Sequence, residues 1–366
     1  MAKKTKSTKS KKSIKSEKQE TKSSPKYQGR RGDSKKKLSF TEQMGNLGSS
    51  IRIYDVMQVW PGGPELQNNI DFFGMGGSAQ AADLVLNYFS HFNCGDILNI
   101  RKDYFRKTDL TQLKGAIFSS YSGTTEETVS QAVGYPTKRG VVITTGGDLE
   151  KIALEKKWGK VTMPEGYQPR AALGFSFSVI VSLLLRHKRL QALAPRISAD
   201  VNITGKHISE LQKANKFDQK AENIAKKLEG KRVVIVSSQM INGVNRRWQG
   251  QLLENANHLT FSQFMPESTH NFVNGLSKED AEKGDLAFVF LHWKHDALGG
   301  LNRMKKAATM VRDLGYTISE ISTETKALLP SLFELVYLAD VVSLKLAELK
   351  GVDPQEISGI ESLKKA

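Results

Sequence analysis

Cysteine is almost absent from this 366-residue chain, in which Cys94 is the only one. A single cysteine excludes a framework of internal disulfides and is typical of a reducing compartment. Long apolar runs are also missing, since the longest, at 171–185, is interrupted by serines and is too short to span a bilayer. The first lysines are not followed by an apolar segment, which argues against a secretory signal. We therefore expect a cytoplasmic protein that does not cross a membrane.

Acidic residues are scarce in the first forty positions, which hold fifteen Lys or Arg and three Asp or Glu. The rest of the chain carries 39 basic and 35 acidic residues, so most of the net charge of +16 belongs to residues 1–40. A segment of this composition cannot bury a core, and we expect it to be disordered. It could contact nucleic acid or another anionic surface, or act only as a solubilising extension.

Beyond residue 40, short apolar runs alternate with helical patterns in two blocks. In the first block we predict strands at 70–73, 116–119 and 141–144 and helices at 79–88, 126–133, 149–156 and 171–187. After a polar helix over 202–230, the second block has predicted strands at 232–237, 286–291 and 316–321 and helices at 244–256, 301–314 and 331–349, followed by a short terminal helix. Such alternation indicates parallel sheets covered by helices on both faces. The sequence thus predicts an α/β protein with two doubly wound domains, over 41–200 and 201–366.

The segment 119–128, Ser-Ser-Tyr-Ser-Gly-Thr-Thr-Glu-Glu-Thr, lies between a predicted strand and a predicted helix. Four small hydroxyl residues precede the helix, namely Ser120, Ser122, Thr124 and Thr125. The unpaired N–H groups at a helix N-terminus bind phosphate, and hydroxyls add further donors. The alternative is a Ser/Thr-rich turn with a capping box, since Thr124 and Glu127 have the spacing for one. The residues of this segment alone favour neither interpretation.

A second loop, Gly74-Met75-Gly76-Gly77-Ser78, follows the first predicted strand. Its glycines let the backbone approach a ligand closely, and Ser78 stands where the next helix begins. A dinucleotide fingerprint is the competing interpretation, but its third glycine is Ala79 here and no acid ends an obvious second strand. Because ligands bind at the carboxyl ends of parallel strands, two hydroxyl-bearing loops there favour one phosphate monoester.

Further residues could carry chemistry, each with a plainer alternative. Arg170 could pair with a sugar phosphate or an anionic intermediate, or be a solvated surface arginine. Glu254, on a predicted helix between apolar positions, could be a partly buried base or a solvent-facing glutamate. His270, in a polar loop, could act as an acid or base or be an exposed histidine. We expect His292 and His295 at the surface, because no third metal ligand stands at a typical spacing.

These motifs occur together, and in this order, in a known family. The chain resembles the bifunctional phosphoglucose/phosphomannose isomerases of archaeal and bacterial type, which are built from two sugar isomerase (SIS) domains. The resemblance covers nearly everything except residues 1–40. Its motifs are Gly74-Met75-Gly76-Gly77-Ser78 with Asp83, Ser120-Tyr121-Ser122-Gly123, Thr125-Glu126-Glu127-Thr128, Thr145-Gly146-Gly147, Pro169-Arg170-Ala171-Ala172-Leu173-Gly174, Trp248 with Glu254-Asn255, Pro266-Glu267 with His270-Asn271, and Leu363-Lys364.

The resemblance implies a fold and an activity. The fold would be two SIS domains of flavodoxin-like type, each an α-β-α sandwich. The activity would be the interconversion of glucose 6-phosphate with fructose 6-phosphate through a cis-enediol, and the acceptance of mannose 6-phosphate is left open. The groups that would hold the substrate phosphate are Gly77, Ser78, Ser120, Ser122 and Thr125.

The resemblance also implies the catalytic roles. Glu254 would move the proton between C1 and C2, and Arg170 would stabilise the charge of the enediolate. His270 would assist ring opening and would reach the site from the neighbouring subunit of a homodimer. Lys364, or the adjacent Lys365, would act at the ring oxygen. Aldose–ketose isomerisation needs this set of groups, and we expect no cofactor and no metal.

The chain departs from the family pattern at several positions. Three usual glycines are alanines, the usual asparagine before Thr125 is Thr124, and the usual glutamate after Asn271 is Phe272. The three alanines are Ala79, Ala81 and Ala82. These differences bear on the sugar preference more than on the phosphate site. The alternative functions are another isomerase or an etherase of the same superfamily, and a non-catalytic sugar-phosphate sensor.

Overall fold

The computed structural model describes residues 38–56, 59, 69–106 and 115–365, with Lys364 and Lys365 described by their backbone only. The expected disorder of the basic segment therefore lies outside the described residues, apart from its last three positions. Two short helices, α1 (Phe40–Met44) and α2 (Leu47–Ser50), open the described chain. No helix in the described part of the chain is both long and apolar enough to cross a membrane.

The first sheet has five parallel strands in the order β2-β1-β3-β4-β5. Its strands are β1 (Ile70–Gly74), β2 (Leu98–Arg101), β3 (Ala116–Ser119), β4 (Gly140–Thr144) and β5 (Gly159–Thr162). This is the flavodoxin-like order, which confirms the predicted fold class. The surrounding helices are α3 (Gly76–Ser90), α4 (Glu126–Gly134), α5 (Gly147–Glu155) and α6 (Leu173–Leu184).

Successive residues along the strands of the first sheet pack in two different hydrophobic clusters, one on each face. The sheet is therefore the middle layer of a sandwich. Phe72 of β1 and Ile117 of β3 pack in a cluster with α3 and α6. Their neighbours Phe73 and Phe118 pack in a second cluster with α4 and α5. Because successive side chains of a strand point to opposite faces, a strand that is apolar throughout must be covered on both sides.

The second sheet has four parallel strands in the order β7-β6-β8-β9. Its strands are β6 (Arg232–Ser238), β7 (Thr260–Met265), β8 (Leu286–His292) and β9 (Thr317–Ser322). Two helices, α7 (Ala194–Lys213) and α8 (Asp218–Leu228), precede it. The remaining helices are α9 (Asn242–Asn255), α10 (Lys278–Glu282), α11 (Leu298–Asp313), α12 (Leu328–Lys350) and α13 (Ser358–Lys365).

The two sheets share one core through the helices between them. The cluster that contains Phe72 also contains Val233 and Ile235 of β6 and residues of α9 and α12. Helices α3 and α9 cross closely at Gly243, whose N–H donates to Asn87 Oδ1 at 2.9 Å. A β-carbon at Gly243 would lie 2.7 Å from that same oxygen, so glycine is required at the crossing. This packing brings α9 of the second block against α3, a helix of the first block.

Several predicted elements differ in detail from the structure. The helix expected at 171–187 begins as a 3-10 turn, Pro169–Ala172, and continues as α6. The polar helix expected over 202–230 is two helices, α7 and α8. Strands β2, β5 and β7 were not predicted. All three lie at sheet edges, where a strand has a neighbouring strand on one side only, and their apolar runs are weak. Residue 200, the predicted domain boundary, lies inside α7, and the division into domains stays a prediction.

Candidate active site

The loop between β3 and α4 folds around a pair of hydroxyl groups. Ser120 Oγ lies 2.8 Å from Thr125 Oγ1, and the Gly123 N–H donates to Ser120 Oγ at 3.1 Å. Helix α4 begins after Thr125, whose side chain makes no capping bond within the described chain. The capping-box alternative is therefore wrong, because the residue before the helix is Thr125 and not Thr124. The first N–H groups of α4 remain free of a side-chain cap at a hydroxyl-rich loop, as an anion site requires.

The neighbouring loop after β4 holds this loop rigid. Gly123 has a φ of +73°, and a β-carbon there would lie 1.8 Å from the Gly146 carbonyl oxygen. The Thr145 N–H donates to the Tyr121 carbonyl at 2.9 Å, and the Leu149 N–H donates to the Gly123 carbonyl at 3.0 Å. Because the backbone is fixed on both sides, the Ser120 and Ser122 hydroxyls have defined positions. Ser120 is buried and Ser122 is exposed.

The glycine loop after β1 lies beside the hydroxyl loop. Gly74 pairs with Ser119 across the sheet, and a β-carbon at Gly74 would lie 2.9 Å from the Ser119 carbonyl oxygen. Gly77 packs against the turn before α6, where its β-carbon would lie 3.0 Å from the Pro169 carbonyl oxygen. The structure therefore brings Gly77, Ser78 and Ser120 together at the carboxyl edge of the first sheet. Two helix N-termini, those of α3 and α4, point into this edge.

Arg170 is buried, so the interpretation as a solvated surface arginine is wrong. Its side chain is 3% exposed. Arg170 Nε donates to Asn255 Oδ1 at 2.7 Å, and Nη2 donates to the Pro354 carbonyl. The guanidinium also lies 4.7 Å from the ring centroid of Phe40. Burial lowers the pKa of Arg170, and the nearby Glu254 carboxylate acts in the opposite direction.

Glu254 reaches this arginine from the second block. Its Oε2 lies 3.6 Å from Arg170 Nη1, and its side chain is 27% exposed. Glu254 is therefore partly buried at the end of α9, which favours the first of the two interpretations that the sequence left open. Its neighbour Asn255 holds Arg170 Nε, so consecutive residues of α9 position the carboxylate and the guanidinium. This arrangement places a proton acceptor and a fixed positive charge beside the glycine loop.

A buried ion pair between Arg247 and Asp340 lies behind the site. The sequence alone did not predict this pair. Arg247 Nη2 lies 2.8 Å from Asp340 Oδ1, and the two side chains are 1% and 4% exposed. Arg247 Nη1 also donates to the Arg170 carbonyl at 3.0 Å. Burial raises the pKa of Asp340 to about 6, although Arg247 and Gln251 act to lower it. An acid in the middle of the apolar helix α12 is the signal that could have revealed this pair.

The structure does not bring His270 to Glu254 within the described chain. His270 is exposed on a 3-10 turn after β7, and no contact among the described residues joins it to Glu254. Lys364 lies in α13, and its side chain is outside the described residues. His292 and His295 are half-buried rather than at the surface, and His292 Nε2 lies 2.9 Å from Glu320 Oε2. No group of three or more His, Cys, Asp or Glu in the described ranges could hold a metal ion.

Paired loops at the edge of one parallel sheet lie near a buried arginine and a carboxylate, as expected for a phosphosugar isomerase of the SIS fold. Residues 217–366 match the family model described as the bacterial phospho-glucose isomerase C-terminal SIS domain. The chain is 31% identical to the bifunctional phosphoglucose/phosphomannose isomerase of Caldicellulosiruptor bescii, over 80% of this chain and 87% of that protein. It belongs to the bifunctional phosphoglucose/phosphomannose isomerase family.

Two further similarities agree with this assignment. The protein of the same description from Thermoplasma volcanium is 29% identical, over 90% of this chain and 99% of that protein. Among solved structures, the tagatose-6-phosphate ketose/aldose isomerase of Escherichia coli has a TM-score of 0.60 at 14% identity, over 79% of this chain and 84% of that chain. At that identity, the solved structure supports the fold alone.

Proposed function

We propose that this protein interconverts glucose 6-phosphate and fructose 6-phosphate through a cis-enediol. The observation that carries the proposal is the contact of 3.6 Å between Glu254 Oε2 and Arg170 Nη1, beside the loop that holds Gly77. A base and a fixed cation next to two uncapped helix N-termini suit a substrate with a phosphate at one end and a carbonyl at the other. The names of the relatives from two organisms support the same reaction.

In the proposed reaction, the loops after β1 and β3 hold the phosphate. Backbone N–H groups at the starts of α3 and α4 and the hydroxyls of Ser78, Ser120, Ser122 and Thr125 would donate hydrogen bonds to its oxygens. Anchoring the phosphate at one point fixes how far the sugar carbons reach toward α9. Anchoring would accelerate the reaction through orientation, because C1 and C2 are brought to a base that is already in place.

Glu254 then moves one proton. Its carboxylate would remove the proton from C2 of the open-chain aldose and return it to C1, while the proton of the C2 hydroxyl passes to O1. The enediolate between these steps carries negative charge. Arg170 is held by Asn255 Oδ1, the Pro354 carbonyl and the Phe40 ring, so its guanidinium needs little reorganisation to stabilise that charge. His270 and Lys364 would assist ring opening as an acid and a base.

A coupled assay tests the reaction directly. The full chain should convert fructose 6-phosphate to glucose 6-phosphate, and a parallel assay with mannose 6-phosphate measures the second activity named for the relatives. An isomerase or etherase for another sugar phosphate, or a sugar-phosphate sensor, would bind these compounds without turning them over. Tight binding with no turnover of either substrate would contradict the proposal.

Replacing Ser122 with alanine should weaken substrate binding. Ser122 is exposed at the hydroxyl loop, where its Oγ lies 3.0 Å from Thr124 Oγ1, so the substitution leaves the core intact. Loss of one hydrogen bond to a charged group costs about 1.5–3 kcal/mol, which corresponds to a rise in KM of roughly tenfold or more with little change in kcat. Steady-state kinetics with Ser49→Ala as an exposed control measures this. An unchanged KM would remove Ser122 from the phosphate site.

We further propose a homodimer in which His270 serves the site of the other subunit. His270 is exposed on a turn next to β7, an edge strand that carries the exposed Phe261. Leu259, just before this strand, and Leu253, on α9, are exposed as well. Exposed apolar side chains near an unpaired strand edge are typical of a surface that another chain covers.

We also propose a cytoplasmic location, and a contact between nucleic acid and residues 1–40 remains an expectation.

Mixed dimers can test whether His270 is shared. A Glu254→Gln chain and a His270→Gln chain are each expected to be nearly inactive. If subunits exchange at random, about half of the dimers are mixed and each has one intact site, so about a quarter of wild-type activity should return on mixing. Activity is measured after co-refolding, with each variant alone as the control. No recovery, despite mixed dimers detected by mass, would place His270 in its own subunit's site, and a His270→Gln chain that is active alone would place His270 outside catalysis.

A further inference from the structure

Gln80 lies between the phosphate loops and the proposed base, and the reaction described above does not use it. It stands on α3, two residues after Ser78, and is half-buried. Its amide faces α9 at Gly250, where a β-carbon would lie 2.6 Å from Gln80 Nε2 and 3.9 Å from Glu254 Oε1. The Gln80 amide and the Glu254 carboxylate therefore border the same glycine.

The protein holds this amide only loosely. Arg247 Nη1 donates to Gln80 Oε1 at 3.5 Å, and Gln80 Nε2 donates to the Arg246 carbonyl at 3.5 Å. Usual N–H···O distances are about 2.7–3.2 Å, so both bonds are weak. A glutamine amide offers two donor hydrogens and two acceptor lone pairs, and most of this capacity is available to another partner. Gly250 leaves room for the amide in this position, since a β-carbon there would force Gln80 Nε2 to shift.

We propose that Gln80 determines specificity by hydrogen-bonding the C2 hydroxyl of the open-chain sugar phosphate. This inference rests on the proposed function. Glu254 acts on the proton at C2, so a group that borders its carboxylate also borders C2. Glucose and mannose 6-phosphates place the C2 hydroxyl on opposite sides of that carbon, and an amide on one side bonds one epimer better. Hydrogen-bonding groups discriminate more strongly than apolar walls, because a poor match leaves them unpaired.

The test replaces Gln80 with leucine, which keeps a similar size and removes both polar atoms. Gln219→Leu is the matched control, because Gln219 lies exposed on α8 and bonds only Asn223 among the described residues. We expect Gln80→Leu to change the ratio of kcat/KM for glucose 6-phosphate to kcat/KM for mannose 6-phosphate by about fivefold or more, the scale of one hydrogen bond. The control should leave the ratio unchanged. A purely structural role would alter both values alike.

A binding measurement separates this inference from the proposed function. D-glucitol 6-phosphate and D-mannitol 6-phosphate differ only at C2 and cannot isomerise, so calorimetry gives their Kd values without turnover. A Kd ratio that shifts in Gln80→Leu and not in Gln219→Leu supports the role of Gln80, even if the wild-type chain isomerises neither sugar. An unchanged Kd ratio, together with an unchanged kcat/KM ratio where turnover occurs, would overturn it.

Discussion

Glu254→Gln should lower kcat by about 10²–10⁴-fold, the range for loss of a general base. The amide has nearly the shape of the carboxylate and can still contact Arg170, but it cannot accept the C2 proton. Substrate affinity should change little, because the phosphate loops lie on the first sheet and are untouched. Steady-state kinetics and exchange of the C2 hydrogen with deuterated water measure the effect, and the exchange reports proton abstraction alone.

Glu222→Gln is the matched control for this variant. Glu222 pairs with Lys226 on the exposed face of α8, so the same substitution there should leave kcat at the wild-type value. A Glu254→Gln protein that kept near wild-type kcat and normal hydrogen exchange would show that another group is the base. The contact between Glu254 and Arg170 would then be structural.

Arg247→Met should destabilise the protein by about 3–5 kcal/mol at pH 8, the usual result of removing one partner of a buried ion pair. Methionine fills a similar volume, but it leaves the Asp340 carboxylate buried with Gln251 as its remaining side-chain donor in the described chain. The Arg170 carbonyl loses a donor as well, so kcat should fall along with stability. Urea denaturation measures the stability.

The loss of stability caused by Arg247→Met should be smaller at pH 5 than at pH 8. Burial raises the pKa of Asp340 to about 6 in the wild-type chain, and Arg247 acts to lower it, so the pKa is higher still in the variant. A carboxyl whose pKa rises on folding stabilises the fold below its unfolded-state pKa, and this contribution is lost as the pH rises through the folded-state pKa. At pH 5 Asp340 is mostly protonated and has little need of the arginine.

Arg232→Met is the control for this prediction. Arg232 pairs with Asp285 at an exposed position, and such pairs contribute about 0–1 kcal/mol. The control should therefore change stability little at either pH. Equal effects of Arg247→Met at pH 5 and pH 8, or a loss no larger than that of Arg232→Met, would show that the buried pair does not behave as described.

The local pattern of apolar and polar residues was sufficient to predict most of the fold. Strands β1, β3, β4, β6, β8 and β9 were predicted within two residues, because each is a short run between a turn and a helical pattern. The loops after β1 and β3 were also recognisable, since Gly77 and Ser120 follow strands whose ends must share a sheet edge. Strands β2, β5 and β7 carried too little apolar signal, and the break between α7 and α8 has no proline to mark it.

Burial of single side chains could not be predicted in the same way. Arg170 follows a proline in a polar segment and looked like a surface residue. Its partners Asn255 and Pro354 are 85 and 184 residues away, so their approach depends on how the blocks pack. Arg247 and Asp340 are likewise 93 residues apart. Contacts at such separations leave no periodic trace in the chain.

Residue order alone was therefore enough to specify parallel α/β blocks and the loops at the edge of the first sheet, because these depend on neighbours in the chain. The meeting of Glu254 with Arg170, and the loose amide of Gln80 beside them, depend on the close crossing of α3 and α9 at Gly243. That crossing results from burying apolar faces of both blocks in one core, which is a property of the packed molecule and not of any one segment.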